Sequence, residues 1–281
     1  MSTANSVWAL ASDVTAPLIP NRGETTRQLR FVLTLLNPRT KTLFDQVLWM
    51  YVPIKHGAAQ DIVSVETQAN HSVDTDTLGH NILKIQLAEL PPLAQRVFSL
   101  TVNVAVYSTP RQMTLSLSEN WLEAEAYTEV GDHRIQALAL QLRGETPRQT
   151  ARNIYDWVAS NVAYAGYVAD DLGALYALTE KKGDCTEYAF LVVALARASQ
   201  IPARMVGGYV IDRNSAPRAD EYHNWAELYL EGTWQIVDAQ KQNWLQPCDQ
   251  YIAFRYFRGI PVNNIGLAHR YKVDGDMQVR M

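Results

Sequence analysis

Cysteine is almost missing from this chain of 281 residues, which has only Cys185 and Cys248. Two thiols make no disulfide framework, and they fit a reducing compartment. There is no CxxC. The six histidines stand at 56, 71, 80, 133, 223 and 269, with no pair four apart. A metal site needs clustered ligands, so no metal and no other cofactor is expected. A Walker loop and a GxGxxG fingerprint are both absent. Basic residues are not in surplus. The net charge is −4, so bulk electrostatics favour neither nucleic acid nor an anionic membrane. No apolar run approaches the ~20 residues that span a bilayer. The first residues, Met1 to Leu10, show neither a basic n-region nor a long apolar h-region. No signal peptide is apparent there, and a cytoplasmic location is expected. Internal repeats and low-complexity segments are absent too.

What remains is an ordinary globular composition, 47% hydrophobic and 19% charged, long enough for one large domain or two ordinary ones. Its periodicity changes partway. Leu29, Phe31, Leu33 and Leu35 alternate along one strand, and Asn37-Pro38 turns the chain. Further short strands are expected over 47–52, 62–66, 82–87 and 97–107, separated by turn residues. This reads as an antiparallel β-sandwich of immunoglobulin-like kind over residues 1–118, structural rather than catalytic. From 118 to 131 the chain reads as a linker. Ile135, Leu138, Ala139 and Leu142 then share a helical face, and Thr146-Pro147-Arg148-Gln149 reads as a capped helix start. Residues 119–281 are therefore expected to form an α+β domain, helices first and strands after.

The chemistry gathers in that second half. Asp184 and Glu187 have the spacing of a capping box, which puts Cys185 at the first position of a helix. Unpaired N–H groups and the helix dipole favour an anion there, so the thiol pKa is expected to be lowered. Gly183 is expected to let backbone or substrate come close. The following residues, through Tyr188, Leu191, Val192, Leu195 and Ala196, show little polar surface, as in a central, rigid helix. If Glu231-Gly232 is a two-residue turn, Leu230 pairs with Thr233 and Trp225 falls opposite Asp238. His223 then lies diagonally across from Asp238, with Cβ atoms ~7 Å apart or somewhat less. A thiol, an imidazole and an orienting carboxylate are the parts of nucleophilic acyl transfer. Around them, Glu227 shares the His223 face as polar support. Trp225 is placed to shield the ion pair or to pack the core. Tyr164 and Tyr167 are candidates for a second oxyanion donor, and the polar loop Asp212 to Glu221 is placed to frame the acceptor side. Cys248 reads as structural. Arg255-Tyr256-Phe257-Arg258 reads as a strand with a solvated face rather than a nucleic-acid site.

Together these residues resemble the transglutaminase-like superfamily, whose catalytic core is similar to the papain fold. The likeness runs from about Thr146 to Asp238. It is carried by Tyr155-Asp156-Trp157-Val158, Gly183-Asp184-Cys185-Thr186-Glu187-Tyr188-Ala189, Gln200-Ile201-Pro202-Ala203-Arg204, His223-Asn224-Trp225-Ala226-Glu227 and Gly232-Thr233-Trp234-Gln235-Ile236-Val237-Asp238. Asn224 stands where bacterial relatives often have alanine. The resemblance implies Cys185 as nucleophile, His223 as base and acid, and Asp238 as its orienter. A peptide or protein acyl donor is expected, and the charge balance leaves nucleic acid and membrane unexpected as partners. Water as acceptor gives a hydrolase of amide or peptide bonds, and an amine gives a transglutaminase or amide-forming acyltransferase. Water is preferred because the sequence supplies no dedicated amine pocket. The rival reading is an inactive binding or scaffold module, against which the intact Cys185, His223 and Asp238 argue.

Overall fold

The computed structural model describes residues 23–115 and 120–281. Strands come first: β1 (Glu24–Leu36), β2 (Leu43–Val52), β3 (Gln60–Thr67), β4 (His71–Thr75), β5 (Asn81–Leu90) and β6 (Gln95–Tyr107). Helices α1 (His133–Gln141), α2 (Pro147–Asn161), α3 (Gly173–Glu180) and α4 (Cys185–Ala198) follow, with the short strands β7 (Ala163–Tyr164) and β8 (Lys182–Gly183) among them. Next come β9 (Ala203–Val210), β10 (His223–Leu230), β11 (Thr233–Asp238), β12 (Asn243–Trp244) and β13 (Tyr251–Tyr256). The last strands are β14 (Tyr271–Asp274) and β15 (Gln278–Arg280). The expected α+β arrangement is present.

The period-two pattern of β1 buries Leu29, Phe31, Leu33 and Leu35 and leaves Arg30 and Val32 exposed. β2, β5 and β6 contribute inward residues to the same core, so two antiparallel sheets face each other. Their strand orders are β15-β1-β6-β3 and β14-β2-β5-β4. The reading that gave everything after residue 118 to the second unit does not hold for the last two strands. Tyr271–Asp274 pairs with β2 and Gln278–Arg280 with β1, completing the sheets of the first half. Both cover sheet edges that would otherwise carry unpaired backbone groups. The described part of the expected linker, 120–131, is packed down as well. Trp121 is buried against Trp234 and Tyr256.

The second half is built on a five-stranded antiparallel sheet, β12-β11-β10-β9-β13. α4 packs on one face, against Ala226, Leu228, Leu230 and Val237, and the other helices surround it. With apolar neighbours on every side, α4 is buried all round, as its sequence requires. The other face of the sheet carries Trp225, Trp234 and Ile236 in a cluster with Ile54, Ala58 and Ala59. Tyr209, Ile252 and Phe254 extend directly into the sandwich core. The two halves thus meet through continuous apolar contacts.

The Arg255 strand departs from expectation. β13 is buried throughout, and Arg255 is buried with it instead of facing solvent. Its guanidinium lies over the rings of Phe257 and Tyr51, at 4.2 and 5.6 Å from their centroids, and donates to the carbonyls of Leu267 and Ala268.

Candidate active site

α4 starts with the reciprocal box anticipated from its sequence. Asp184 Oδ1 accepts the Thr186 N–H at 2.7 Å, and Glu187 Oε2 accepts the Asp184 N–H at 3.0 Å. Each acid spends its other oxygen on the preceding loop. Asp184 Oδ2 takes the Val168 N–H, and Glu187 Oε1 takes the Leu172 N–H, both at 3.0 Å. The same carboxylates therefore fix the start of the helix and the loop that carries Tyr167. Burial pushes the Glu187 carboxyl up, against the opposing pull of those N–H bonds. Gly183 serves this box, not a substrate: a Cβ there would stand 2.4 Å from the Glu187 Cβ.

Cys185 follows at the first helical position, and its own N–H donates to no protein group among the described residues. The expected lowering of its pKa is not found. Burial pushes the thiol up to about 12, the Asp184 carboxylate adds to this, and the Asn224 backbone N–H opposes it. The resting group is a neutral thiol. Its proton has to be removed as the sulfur attacks, not beforehand.

The hairpin has the register inferred from its turn. Glu231 and Gly232 both have positive φ, 55° and 81°, the geometry of a two-residue hairpin turn. Leu230 pairs with Thr233 and Ala226 with Val237, so the next step sets Trp225 against Asp238. His223 Nε2 meets Asp238 Oδ2 at 2.7 Å, and both side chains are buried. This bond leaves Nδ1 as the nitrogen available to a reacting group. Cys185 and His223 line one cavity of 450 Å³, together with Tyr164, Tyr167, Tyr222 and Lys241. Asp238 stands behind His223, outside the lining.

The remaining candidates divide. Tyr164 and Tyr167 lie at the cavity, 59% and 85% exposed, open to anything that enters. Asp212, Arg213, Ser215, Pro217, Asp220 and Glu221 of the polar loop form one wall. Ser215 is pinned to the sandwich: its N–H donates to the Gln28 carbonyl at 2.9 Å, and its carbonyl accepts the Arg30 N–H at 3.0 Å. Trp225 does not line the cavity. It stacks on His223 at 6.3 Å and on Tyr251 edge-on at 5.1 Å, so it backs the imidazole and packs the core. Glu227 is no part of the site. Arg204 binds its Oε2 through Nε at 2.9 Å and Nη2 at 2.7 Å, both partners are buried, and the guanidinium lies over Tyr256 and Trp234. Cys248 is buried and donates to the Ser108 carbonyl at 3.0 Å.

Residues not anticipated also meet here. Tyr251 donates to Asp238 Oδ2 at 2.9 Å, and the Lys241 N–H donates to Oδ1 at 3.0 Å. Asn243 Nδ2 donates to the Tyr251 hydroxyl. Asn224 Nδ2 reaches Thr186 Oγ1 at 2.9 Å, tying β10 to the first turn of α4. Tyr251 follows Asp238 by 13 residues, through the two-residue β12 and irregular chain, where no long helical or strand period carries a register. Among the described residues, no group of three His, Cys, Asp or Glu side chains is placed to hold a metal.

Comparison with known proteins bears on family and fold. Residues 136–239 match the family model of the transglutaminase-like superfamily. No curated protein matches the chain. Among solved structures, a candidate cysteine protease from Cytophaga hutchinsonii is similar over 92% of this chain and 90% of its own, at 19% identity and a TM-score of 0.59. That likeness is one of fold. The periplasmic domain of TgpA from Pseudomonas aeruginosa aligns over 75% of this chain and 87% of its own, at 17% identity and a TM-score of 0.45.

Proposed function

We propose that this chain, whose residues 136–239 match the transglutaminase-like family model, acts as a thiol acyl-transfer enzyme that hydrolyses an amide or peptide bond. The observation that carries this reading is the placement of Cys185 and His223 on one cavity, with the far nitrogen of His223 held by buried Asp238. His223 Nδ1 takes the thiol proton as Cys185 Sγ attacks the carbonyl carbon. The oxyanion meets the unused Cys185 N–H, and Tyr164 or Tyr167 is the candidate second donor. The imidazolium gives its proton to the leaving amine, the C–N bond breaks, and a thioester remains. Water attacks that thioester while His223 takes its proton. The C–S bond then breaks, and the proton returns to sulfur.

Water is favoured over an amine by the state of the loop carboxylates. Asp220 and Glu221 both pair with Arg218, at 3.0 and 3.7 Å, so each already has a cationic partner beside the cavity. The test is a peptide and peptide-amide library read by mass spectrometry, with and without millimolar primary amine. Acid products are expected, absent with Cys185→Ser and slowed by roughly 10²–10⁴ with Asp238→Asn. Amide product taking most of the acyl group would replace hydrolysis by amine transfer. Undiminished turnover in Cys185→Ser would remove the nucleophile.

A further inference from the structure

Asp238 Oδ2 is shared. It accepts from His223 Nε2 at 2.7 Å and from the Tyr251 hydroxyl at 2.9 Å, while Oδ1 accepts the Lys241 N–H at 3.0 Å. Tyr251 is buried, and its ring is fixed edge-on against Trp225, which stacks on His223 in turn. Asn243 Nδ2 donates to the Tyr251 oxygen, so the tyrosine proton is directed at the carboxylate. A chain Asn243–Tyr251–Asp238–His223 results.

We propose that Tyr251, supported by Asn243, is a positioning residue that sets the proton affinity of His223 by drawing charge from the oxygen the two share. This rests on the reading of His223 as the general base. A carboxylate that faced the imidazole alone would concentrate its charge there and favour the imidazolium, which cannot accept a proton. The tyrosine hydroxyl takes part of that charge, so less of it is left to stabilise a proton on the imidazole. Burial first, and then the Asp238 charge, raise the Tyr251 pKa, so its hydroxyl keeps its proton and remains a donor. Other groups around His223 are Cys185 and Asp184 at the start of α4, Lys241 after β11, Glu221 and Tyr222 before β10, and Tyr155 of α2, which feels the Asp238 charge.

The test is the titration of the His223 ring nitrogens by NMR in the full chain carrying Cys185→Ser, so that no thiol titrates alongside. Tyr251→Phe keeps the ring against Trp225 and removes only the hydroxyl. The proton affinity of His223 is expected to rise by about threefold or more in Tyr251→Phe, and in the same direction by less in Asn243→Ala. An unchanged or lowered affinity in Tyr251→Phe, with near-ultraviolet circular dichroism intact, overturns the proposal. If Tyr251→Phe does not fold, Asn243→Ala decides by the same criterion, since it leaves Tyr251 in place. The titration needs no turnover. A shifted affinity, together with no turnover of any library member by the unsubstituted chain, therefore sinks the catalytic reading alone, and turnover with an unshifted affinity sinks this one alone.

Discussion

At the scale of single residues, the two cysteines show that access, not acidity, separates them. Burial pushes Cys185 up to about 12 and Cys248 up to about 11. Neither is a standing thiolate at neutral pH, yet Cys185 opens on the cavity and Cys248 is sealed under Tyr107 and Ser108. For a thiol pKa raised in this way, the thiolate fraction grows with pH throughout the neutral and mildly alkaline range. Alkylation of Cys185 by iodoacetamide should therefore climb steadily from about pH 6 to about pH 9 without levelling, while Cys248 stays unlabelled in the folded chain. A rate already level near pH 6 would show a preformed thiolate–imidazolium pair. The sequence located Cys185 through its capping box but could not show its solvation. Burial at a helix start depends on which strands and loops pack against it; here Asn224 and the loop of Val168 and Leu172 are bonded to the first turn of α4.

At the scale of elements, the hairpin was legible because its turn fixes everything after it. Glu231-Gly232 sets the register of β10 on β11, and that register alone brings His223 to Asp238. The same alternation misplaced Glu227. It does share a face with His223, but it lies further along β10, directly opposite Arg204 of β9. The signal that could have found this pair is the antiparallel pairing of β9 with β10. A buried carboxylate bonded twice by a buried guanidinium supports the sheet, not the reaction. Glu227→Ala leaves Arg204 uncompensated among Trp234 and Tyr256, and is expected to cost about 3–5 kcal/mol of stability. Denaturant melts would measure that loss. Turnover per folded molecule should be unchanged, and a selective loss of turnover at full stability would return Glu227 to the site.

At the scale of the whole molecule, the described residues of the sandwich line no part of the cavity but hold one of its walls in place. β1 holds the Asp212–Glu221 loop through Ser215, and the sandwich core covers Tyr209, Ile252 and Phe254 of the second sheet. A buried histidine adds a polar link. His80 Nδ1 donates to Asp76 at 2.7 Å, and His80 Nε2 accepts the Tyr256 N–H at 2.8 Å, joining the turn before β5 to β13. A chain cut to residues 120–281 should therefore be insoluble or molten, without a cooperative transition or near-ultraviolet dichroism. A soluble fragment with native-like dichroism would show the second half to be independent. The main strands of the sandwich were legible from their alternation. β14 and β15 were not, because short, partly exposed strands carry too little periodicity to stand out, and only the free edges of β2 and β1 give them a place.

Those returning strands bear on synthesis. The ribosome makes β1 and β2 long before it makes their partners β15 and β14, and the complete Cys185, His223 and Asp238 set emerges in between. A chain stopped near residue 260 would hold every proposed reacting group and still expose two sheet edges, each a template for pairing with another chain. Quality control in the cell would meet such a product as an aggregation hazard with its chemistry already in place. Synthesis of residues 271–280 removes that hazard.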